Sequence, residues 1–425
     1  MKRYQIREEM NGIPEPPGKV WFWEVADGVI DAGRCVQCGT CIAACPSNSI
    51  GVSLQTGLPE LVKMCTGCSL CWDFCPRGGL RYEALWPPST PEPAGPQDVT
   101  TAGAPAAVSD ADAGCRIAGD PGEGLGAVLD RYAVRASPRP GGAQDGGAVT
   151  ALLAALLAAG EIDGAVVSKP SDDGREPWKG VATVATTPEE LVAAAGSFYN
   201  QTMALAALDL AAHPGLPARP RLAVVGTPCE IQGLRAMQAR PWSTGAHRVD
   251  AVVLTVALLC TKSFDYEALV LRELRDRRNV DLARVGKVDV IRGRMIVEYR
   301  DGHVAVDEPV KAFHGAALKG CDECADFLGR GADLSMGSVG SPDGWTSVLV
   351  RTEAGRRAFG RARAHFDVRE LPDPAALLRL DGLDKTNARR SLGRDLDPDA
   401  PLFIDYADHL RQAGGGASGP VTVAT

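Results

Sequence analysis

Cys35-Val36-Gln37-Cys38-Gly39-Thr40-Cys41-Ile42-Ala43-Ala44-Cys45-Pro46 and Cys65-Thr66-Gly67-Cys68-Ser69-Leu70-Cys71-Trp72-Asp73-Phe74-Cys75-Pro76 write one spacing twice, C-x2-C-x2-C-x3-C-P. Three closely spaced thiolates suit three corners of a cubane iron–sulfur cluster, and the fourth ligand then comes from elsewhere. Zinc ribbons also use C-x2-C pairs, but a third cysteine at x2 and a fourth before proline do not suit one tetrahedral ion. A disulfide scaffold needs an oxidising compartment, and Met1–Val20 lacks the apolar core of a secretory signal. The spacing predicts electron transfer.

Where this run holds two clusters in bacterial ferredoxins, the fourth cysteine of each copy ligates the other cluster. By that rule Cys35, Cys38, Cys41 and Cys75 hold one [4Fe–4S] cluster, and Cys65, Cys68, Cys71 and Cys45 hold the second. The expected unit is an α+β ferredoxin-like 2[4Fe-4S] domain over residues 21–86, with the clusters substituting for an apolar core.

The 425 residues allow two or three domains, and a net charge of −8 argues against a nucleic-acid partner. Apolar stretches such as Ala148–Ala159 and Ala251–Leu259 are too short to cross a bilayer, so no direct membrane insertion is expected. A cytoplasmic location, where thiols stay reduced, is the expectation. Residues 87–124 carry prolines 87, 88, 91, 93, 96, 105 and 121 among small residues, which predicts a flexible Pro/Ala/Gly linker. Cys115 lies within it and is assigned no role.

From Leu125 to about residue 400 the pattern turns α/β. Gly164–Ser168, Leu222–Gly226, Ala251–Leu259 and Ser347–Arg351 read as buried strands. Helical periodicity covers Val149–Ala159, Pro188–Ala195, Met203–Ala212, Ile231–Gln238, Tyr266–Arg278, Glu353–His365 and Asp373–Leu380. This alternation predicts a mainly parallel sheet. Over Lys287–Val306, Arg292-Gly293 and Asp301-Gly302 break alternating runs, predicting a small antiparallel meander. Gln144-Asp145-Gly146-Gly147 precedes a helical run, where a glycine pair either makes a tight turn or lets backbone amides approach an anion. Cys229 and Cys260 follow buried strands, and Cys321-Asp322-Glu323-Cys324 lies in a polar loop. On spacing alone these four are either converging metal ligands or buried free thiols.

The C-terminal two thirds resemble the beta subunits of coenzyme F420 hydrogenases and dehydrogenases. The resemblance is carried by Gln144–Leu153, Ile162–Val167, Gly226-Thr227-Pro228-Cys229-Glu230-Ile231-Gln232, Cys260–Tyr266, Cys321–Phe327 and Ala332–Trp345, in family order. With its cysteine-rich start, the chain is similar to the long form of that family, whose members feed electrons from the reduced deazaflavin into larger redox complexes. The resemblance implies bound FAD and a third [4Fe–4S] cluster on Cys229, Cys260, Cys321 and Cys324. It implies that the flavin is bordered by the turn of Gln144, Asp145, Gly146, Gly147 and Thr150. The loop of Gly337, Ser338, Gly340, Ser341 and Gly344 is implied to border it too, and Gly196–Asn200, with Ser197 and Tyr199, resembles a third contacting stretch. Glu230 and Leu259 depart from the family pattern, which has glutamine and often an aromatic residue there.

The implied function is an F420-dependent oxidoreductase. Coenzyme F420 carries hydride as a substrate, FAD converts the pair to single electrons, and the clusters pass these to a redox partner protein or larger complex, or the reverse. No side chain is required as a catalytic acid, base or nucleophile. Two other readings fit the same parts: a flavin and iron–sulfur reductase using ferredoxin electrons on another organic substrate, and a pure electron relay. No G-x-G-x-x-G follows a strand, so a nicotinamide donor is not expected.

Overall fold

The computed structural model describes residues 21–78, 124–239 and 246–392. The expected linker, apart from Gly124, lies outside the described residues, as do Cys115 and residues 79–86 and 393–400.

In the first lobe, α1 (Phe22–Val25) runs directly into a π-type turn (Ala26–Asp31). α2 (Thr40–Ala44), the hairpin of β1 (Ile50–Val52) and β2 (Pro59–Leu61), and α3 (Leu70–Asp73) complete it. Its interior corrects one expectation. Trp21, Phe22, Trp23, Trp72, Ile50 and Leu61 form an apolar core that includes Cys41, Cys45, Cys71 and Cys75. Large aromatic faces pack around these thiols, so the lobe has an apolar core of its own.

The second lobe begins with β3 (Asp130–Ala136), α4 (Ala148–Ala158), β4 (Gly164–Pro170), β5 (Gly180–Ala185) and α5 (Pro188–Ala193). A reciprocal capping box between Thr187 and Glu190, with Pro188 in the first turn, starts α5. β6 (Leu222–Gly226), α6 (Pro228–Ala239), α7 (Ala246–Asp250) and β7 (Val252–Leu258) follow. After a π-type helix (Glu267–Asp276) come the meander strands β8 (Val285–Ile291), β9 (Arg294–Tyr299) and β10 (Val304–Pro309). Positive φ at both Arg292 and Gly293 gives the two-residue turn the meander requires. β11 (Leu334–Gly337), β12 (Thr346–Val350), α8 (Glu353–Ala362), β13 (Phe366–Glu370) and α9 (Pro374–Leu392) end the described chain.

The large sheet has the order β13-β3-β12-β11-β7-β6-β4-β5. It is mixed, not mainly parallel. β4, β6, β7 and β11 run parallel at its centre, while β5, β12, β3 and β13 join antiparallel. The short links β4–β5 and β11–β12 are the reason, since a parallel neighbour needs a long crossover. Alternate residues of the strands face two layers. Ala165, Val167, Ala223 and Leu254 meet Leu152, Leu153 and Leu156 of α4 and Phe359 of α8. Val166, Leu222 and Val224 meet Leu234 and Met237 of α6, together with Ala43, Ala44 and Phe74 of the first lobe. The two lobes thus share a core.

Two helical expectations differ. Met203–Ala212 forms two 3-10 turns, Ala204–Leu208 and Leu210–Ala212, after Met203 at φ +55°. Packing against the first lobe decides this: a Cβ on Gly39 would stand 2.7 Å from Ala206 N and 3.0 Å from Met203 O. α9 runs past Leu380 because Asp381, Asp384, Lys385 and Ala388 on its later turns are buried against the protein.

Glycine lets the lobes approach elsewhere too. A Cβ on Gly233 of α6 would strike Thr40 Oγ1, and one on Gly320 would strike Arg34 O. Beside them Arg34 makes a buried fork onto Glu323, with Nε donating to Oε1 at 2.6 Å and Nη2 to Oε2 at 2.8 Å. Removing one member leaves a buried unpaired charge, which costs about 3–5 kcal/mol. Arg34→Met is therefore expected to lower the midpoint of anaerobic chemical unfolding, and Arg34→Met with Glu323→Met to recover most of the loss. Equal loss in both variants would show that the pair contributes nothing beyond its packing.

Candidate functional site

The two cysteine runs fold alike. Gln37 and Gly67 have φ of +53° and +63°, and Gly39 and Ser69 have φ of +79° and +68°. These left-handed residues curl each run so that amides face sulfur. Gln37 N donates to Cys35 Sγ and Gly67 N to Cys65 Sγ, both at 3.4 Å, and Ser49 N donates to Cys45 Sγ at 3.2 Å.

Two cavities lie inside. Cys35, Cys38, Cys41 and Cys75 line one, and Cys45, Cys65, Cys68 and Cys71 line the other. Burial pushes Cys35 and Cys75 up to about 12 and Cys41 and Cys71 well above the ordinary thiol range, with neighbouring thiols adding to it. Such thiols stay protonated unless a cationic centre replaces their protons. Four sulfurs per cavity, with N–H donors aimed at them, fit a cubane. Among the described residues no group of Cys, His, Asp or Glu is arranged to hold a single metal ion.

The other four cysteines sit beyond the carboxyl ends of the parallel strands. Cys229 is at the start of α6 after β6, and Cys260 follows β7. Cys321 lies within the 3-10 turn Lys319–Glu323, and Cys324 caps its end. Burial, and then the neighbouring Cys321 and Cys324 thiols, pushes Cys260 well above the ordinary thiol range. Cys229 packs with Cys38, Val36 and Cys321, so Cys321 touches both sides of this group. Ser263 N donates to Cys321 Sγ at 3.5 Å. Glu230, 2% exposed, holds the Cys229 turn: its carboxylate accepts from Thr227 N at 2.7 Å and Ala204 N at 2.9 Å. A carboxylate can accept from both amides at once, a role in which glutamine could offer only one oxygen.

The three nominated cofactor segments also meet at strand ends. Gly146 N donates to Thr346 Oγ1 at 3.2 Å, and a Cβ there would stand 2.5 Å from Val134 O. Asp145 and Gly147 have φ of +46° and +67°, and Gly147 is the cap of the 11-residue α4, whose first turn carries Thr150. Gln144 Nε2 is buried with no hydrogen-bond partner among the described residues. A Cβ on Gly196, before Ser197, would stand 3.7 Å from Gly142 O, and Tyr199 Oη donates to Asp289 Oδ1 at 3.3 Å. In the third segment Ser341 and Ser347 hydroxyls lie 2.7 Å apart, and Gly344 has open space at its Cα. Gly340 instead faces Asp373 O, and Gly337, next to Ser338, meets the Leu259 side chain. Leu259 and Gly337 follow or end neighbouring parallel strands, so this rim begins beside Cys260. An orphaned donor and a helix amino terminus fit an anionic, hydrogen-bonding cofactor, while the glycines let the turns pack against the protein's own backbone.

Asp289, paired with Lys287 at 2.9 Å, was not singled out by sequence, although a carboxylate inside the apolar run Val288-Asp289-Val290 is a signal. Arg292 and Arg294 pair with Asp343 and Asp307 in solvent.

Sequence profiles for the coenzyme F420 hydrogenase/dehydrogenase beta subunit match residues 131–209 (N-term) and 220–373 (C terminus), and a 4Fe-4S dicluster domain matches 28–81. The chain is 30% identical over 348 residues to the coenzyme F420-dependent sulfite reductase of Methanocaldococcus jannaschii, covering 79% of this chain and only 47% of that protein. It is 36% identical over 223 residues to the coenzyme F420 hydrogenase subunit beta of Methanosarcina barkeri, covering 52% of this chain and 74% of that one. A chain of the F420-reducing [NiFe] hydrogenase complex from Methanosarcina barkeri superposes with a TM-score of 0.59 and 31% identity, over 64% of this chain and 93% of that chain.

Burial, then the Asp289 carboxyl, pushes Asp145 from its ordinary 3.8 up to about 6. A carboxyl raised on folding favours the folded chain at low pH, and the advantage is lost as pH rises through about 6. Asp145→Asn is expected to raise the Tm of cofactor-free protein more at pH 8 than at pH 5. A larger gain at pH 5 would contradict this.

Proposed function

The chain belongs to the family of coenzyme F420 hydrogenase and dehydrogenase beta subunits, and from that membership we propose that it is an F420-linked oxidoreductase subunit. It takes electron pairs as hydride from reduced coenzyme F420 and delivers single electrons to a protein partner or larger complex, or works in reverse. FAD, when bound, supplies the exchange between paired and single electrons.

The chain's own residues have separate tasks. Gly146 and Gly147 let the turn close onto Val134, Thr346 and Pro140, the amino terminus of α4 offers amides to the cofactor's phosphates, and Gln144 Nε2 donates a hydrogen bond. Ser197, Tyr199 and the Gly337–Gly344 loop, with Ser338, Gly340 and Ser341, close the rim. Cys229, Cys260, Cys321 and Cys324 hold one [4Fe–4S] cluster. Cys35, Cys38, Cys41 and Cys75 hold a second, and Cys45, Cys65, Cys68 and Cys71 a third. Buried aromatic and aliphatic side chains keep water from the sulfurs.

One observation carries this reading. The cysteines continue from the rim without a gap: Leu259 and Gly337 touch, Cys260 is next, Cys321 reaches Cys229, and Cys229 packs on Cys38. A pair-to-single converter at the rim and a partner beyond the first lobe are what such a trail serves.

Reduced coenzyme F420 added anaerobically to iron-replete protein, with no other protein present, is expected to bleach a flavin absorption band and then produce cluster EPR signals. Flavin-free protein that ignores the coenzyme would leave only a relay. Cys229→Ala is expected to remove one cluster signal of three and leave the other two. Three unchanged signals would refute the ligand assignment.

A further inference from the structure

Arg77 follows Cys75-Pro76 and is 1% exposed, one of the largest wholly buried side chains among the described residues. Its Nε donates to Gly320 O at 2.6 Å, beside Cys321, and its Nη1 donates to Pro76 O at 2.9 Å. It lines the cavity of Cys35, Cys38, Cys41 and Cys75. Its positive charge acts on Cys35, Cys38 and Cys75 on one side and on Cys229, Cys321 and Cys324 on the other.

The duplicated sequence supplies a control. In the first run the residue after Cys45-Pro46 is Ser47, whose neutral hydroxyl lies 3.6 Å from Cys45 Sγ. Among the described residues, no charged side chain lines the cavity of Cys45, Cys65, Cys68 and Cys71. Two otherwise parallel runs therefore differ in the charge they present to their neighbours.

We propose that Arg77 is a shared positioning cation, wedged between the two inner cluster sites, that raises the reduction potential of both relative to the outer one. The proposal rests on the reading that all three thiol groups hold clusters. Each reduction adds one negative charge to a site in a low-dielectric interior, and a guanidinium, which stays protonated, offsets that charge for whichever site it borders. The hydrogen bond to Gly320 O fixes the cation at the join of the lobes. Electrons collect at the inner pair, and transfer to the outer site becomes the step that a partner must pull.

EPR-monitored redox titration of the anaerobic holoprotein tests this. Iron content and three signals in the unaltered protein check the underlying reading first, so its failure is visible before any variant is made. Arg77→Gln is expected to lower the reduction equilibrium of two clusters about tenfold or more, about 59 mV for one electron, and to leave the third in place. Arg77→Lys, which keeps the charge, is expected to restore most of the shift. Assembly of the lysine variant alone, with near-native potentials, would also support a requirement for charge. Three unmoved potentials, three that move together, or a lysine variant that behaves as the glutamine variant would overturn the proposal. Loss of clusters from both variants would reduce Arg77 to a packing strut and overturn it equally.

Discussion

The seating of the first lobe against α6, the 3-10 turns after Met203 and the turn Lys319–Glu323 is the constraint on which the rest depends. Gly39, Gly233 and Gly320 permit backbone approaches that any side chain would prevent. Ala43, Ala44 and Phe74 complete a core begun by Val166, Leu222 and Val224. Arg34 and Glu323 bring opposite charges into that join, and Arg248 reaches across to Ala43 O at 3.0 Å. A lobe tethered only by a linker could not keep Cys38 against Cys229. Shared apolar burial and buried charge pairing can.

The cysteine loop of the second lobe is braced from behind. Arg330 forks onto Asp381 of α9 at 2.8 and 2.7 Å, and its backbone N–H donates to the Asp326 carboxylate. Lys385 adds a second cation to Asp381 at 3.1 Å. Burial pushes Arg351 down to about 10, and its guanidinium is satisfied by the carbonyls of Leu125, Ala127 and Leu328 and by Ser335 Oγ. Buried charges of this kind are tolerated when they are paired, as Arg330 is, although its Nε has no hydrogen-bond partner among the described residues. Here they hold the segment after Cys324 in register with β11 and β12. Asp384, pushed up to about 8 chiefly by burial, stands close to the same cysteines and stays neutral at lower pH.

What was legible in the sequence was local. A cysteine spacing is a property of a dozen residues, and β6, α6 and the meander turn at Arg292-Gly293 are written by short apolar runs and a two-residue break. The mixed character of the sheet was not legible, because β3 and β13 carry Asp130, Arg131, Arg135, Asp367, Arg369 and Glu370 among their apolar residues and β11 has only four residues. Their places come from pairing partners far along the chain. At the site, the glycine turn at Gly146 could be marked from sequence, and Asp289 left a trace as a carboxylate in an apolar run, but what Asp289 and Arg77 touch could not. Their importance arises from what lies across the fold from them, which spacing does not encode.

The central claim is that the lobes bring the sulfurs of Cys38 and Cys229 together so that two clusters lie side by side at the join. Pulsed EPR on partially and fully reduced protein measures this directly, through the spin–spin coupling between paramagnetic centres. The account predicts that the signal lost in Cys229→Ala is coupled to one of the two remaining signals, with line broadening that appears as the second centre becomes reduced. Three signals that stay magnetically isolated at every level of reduction would contradict it.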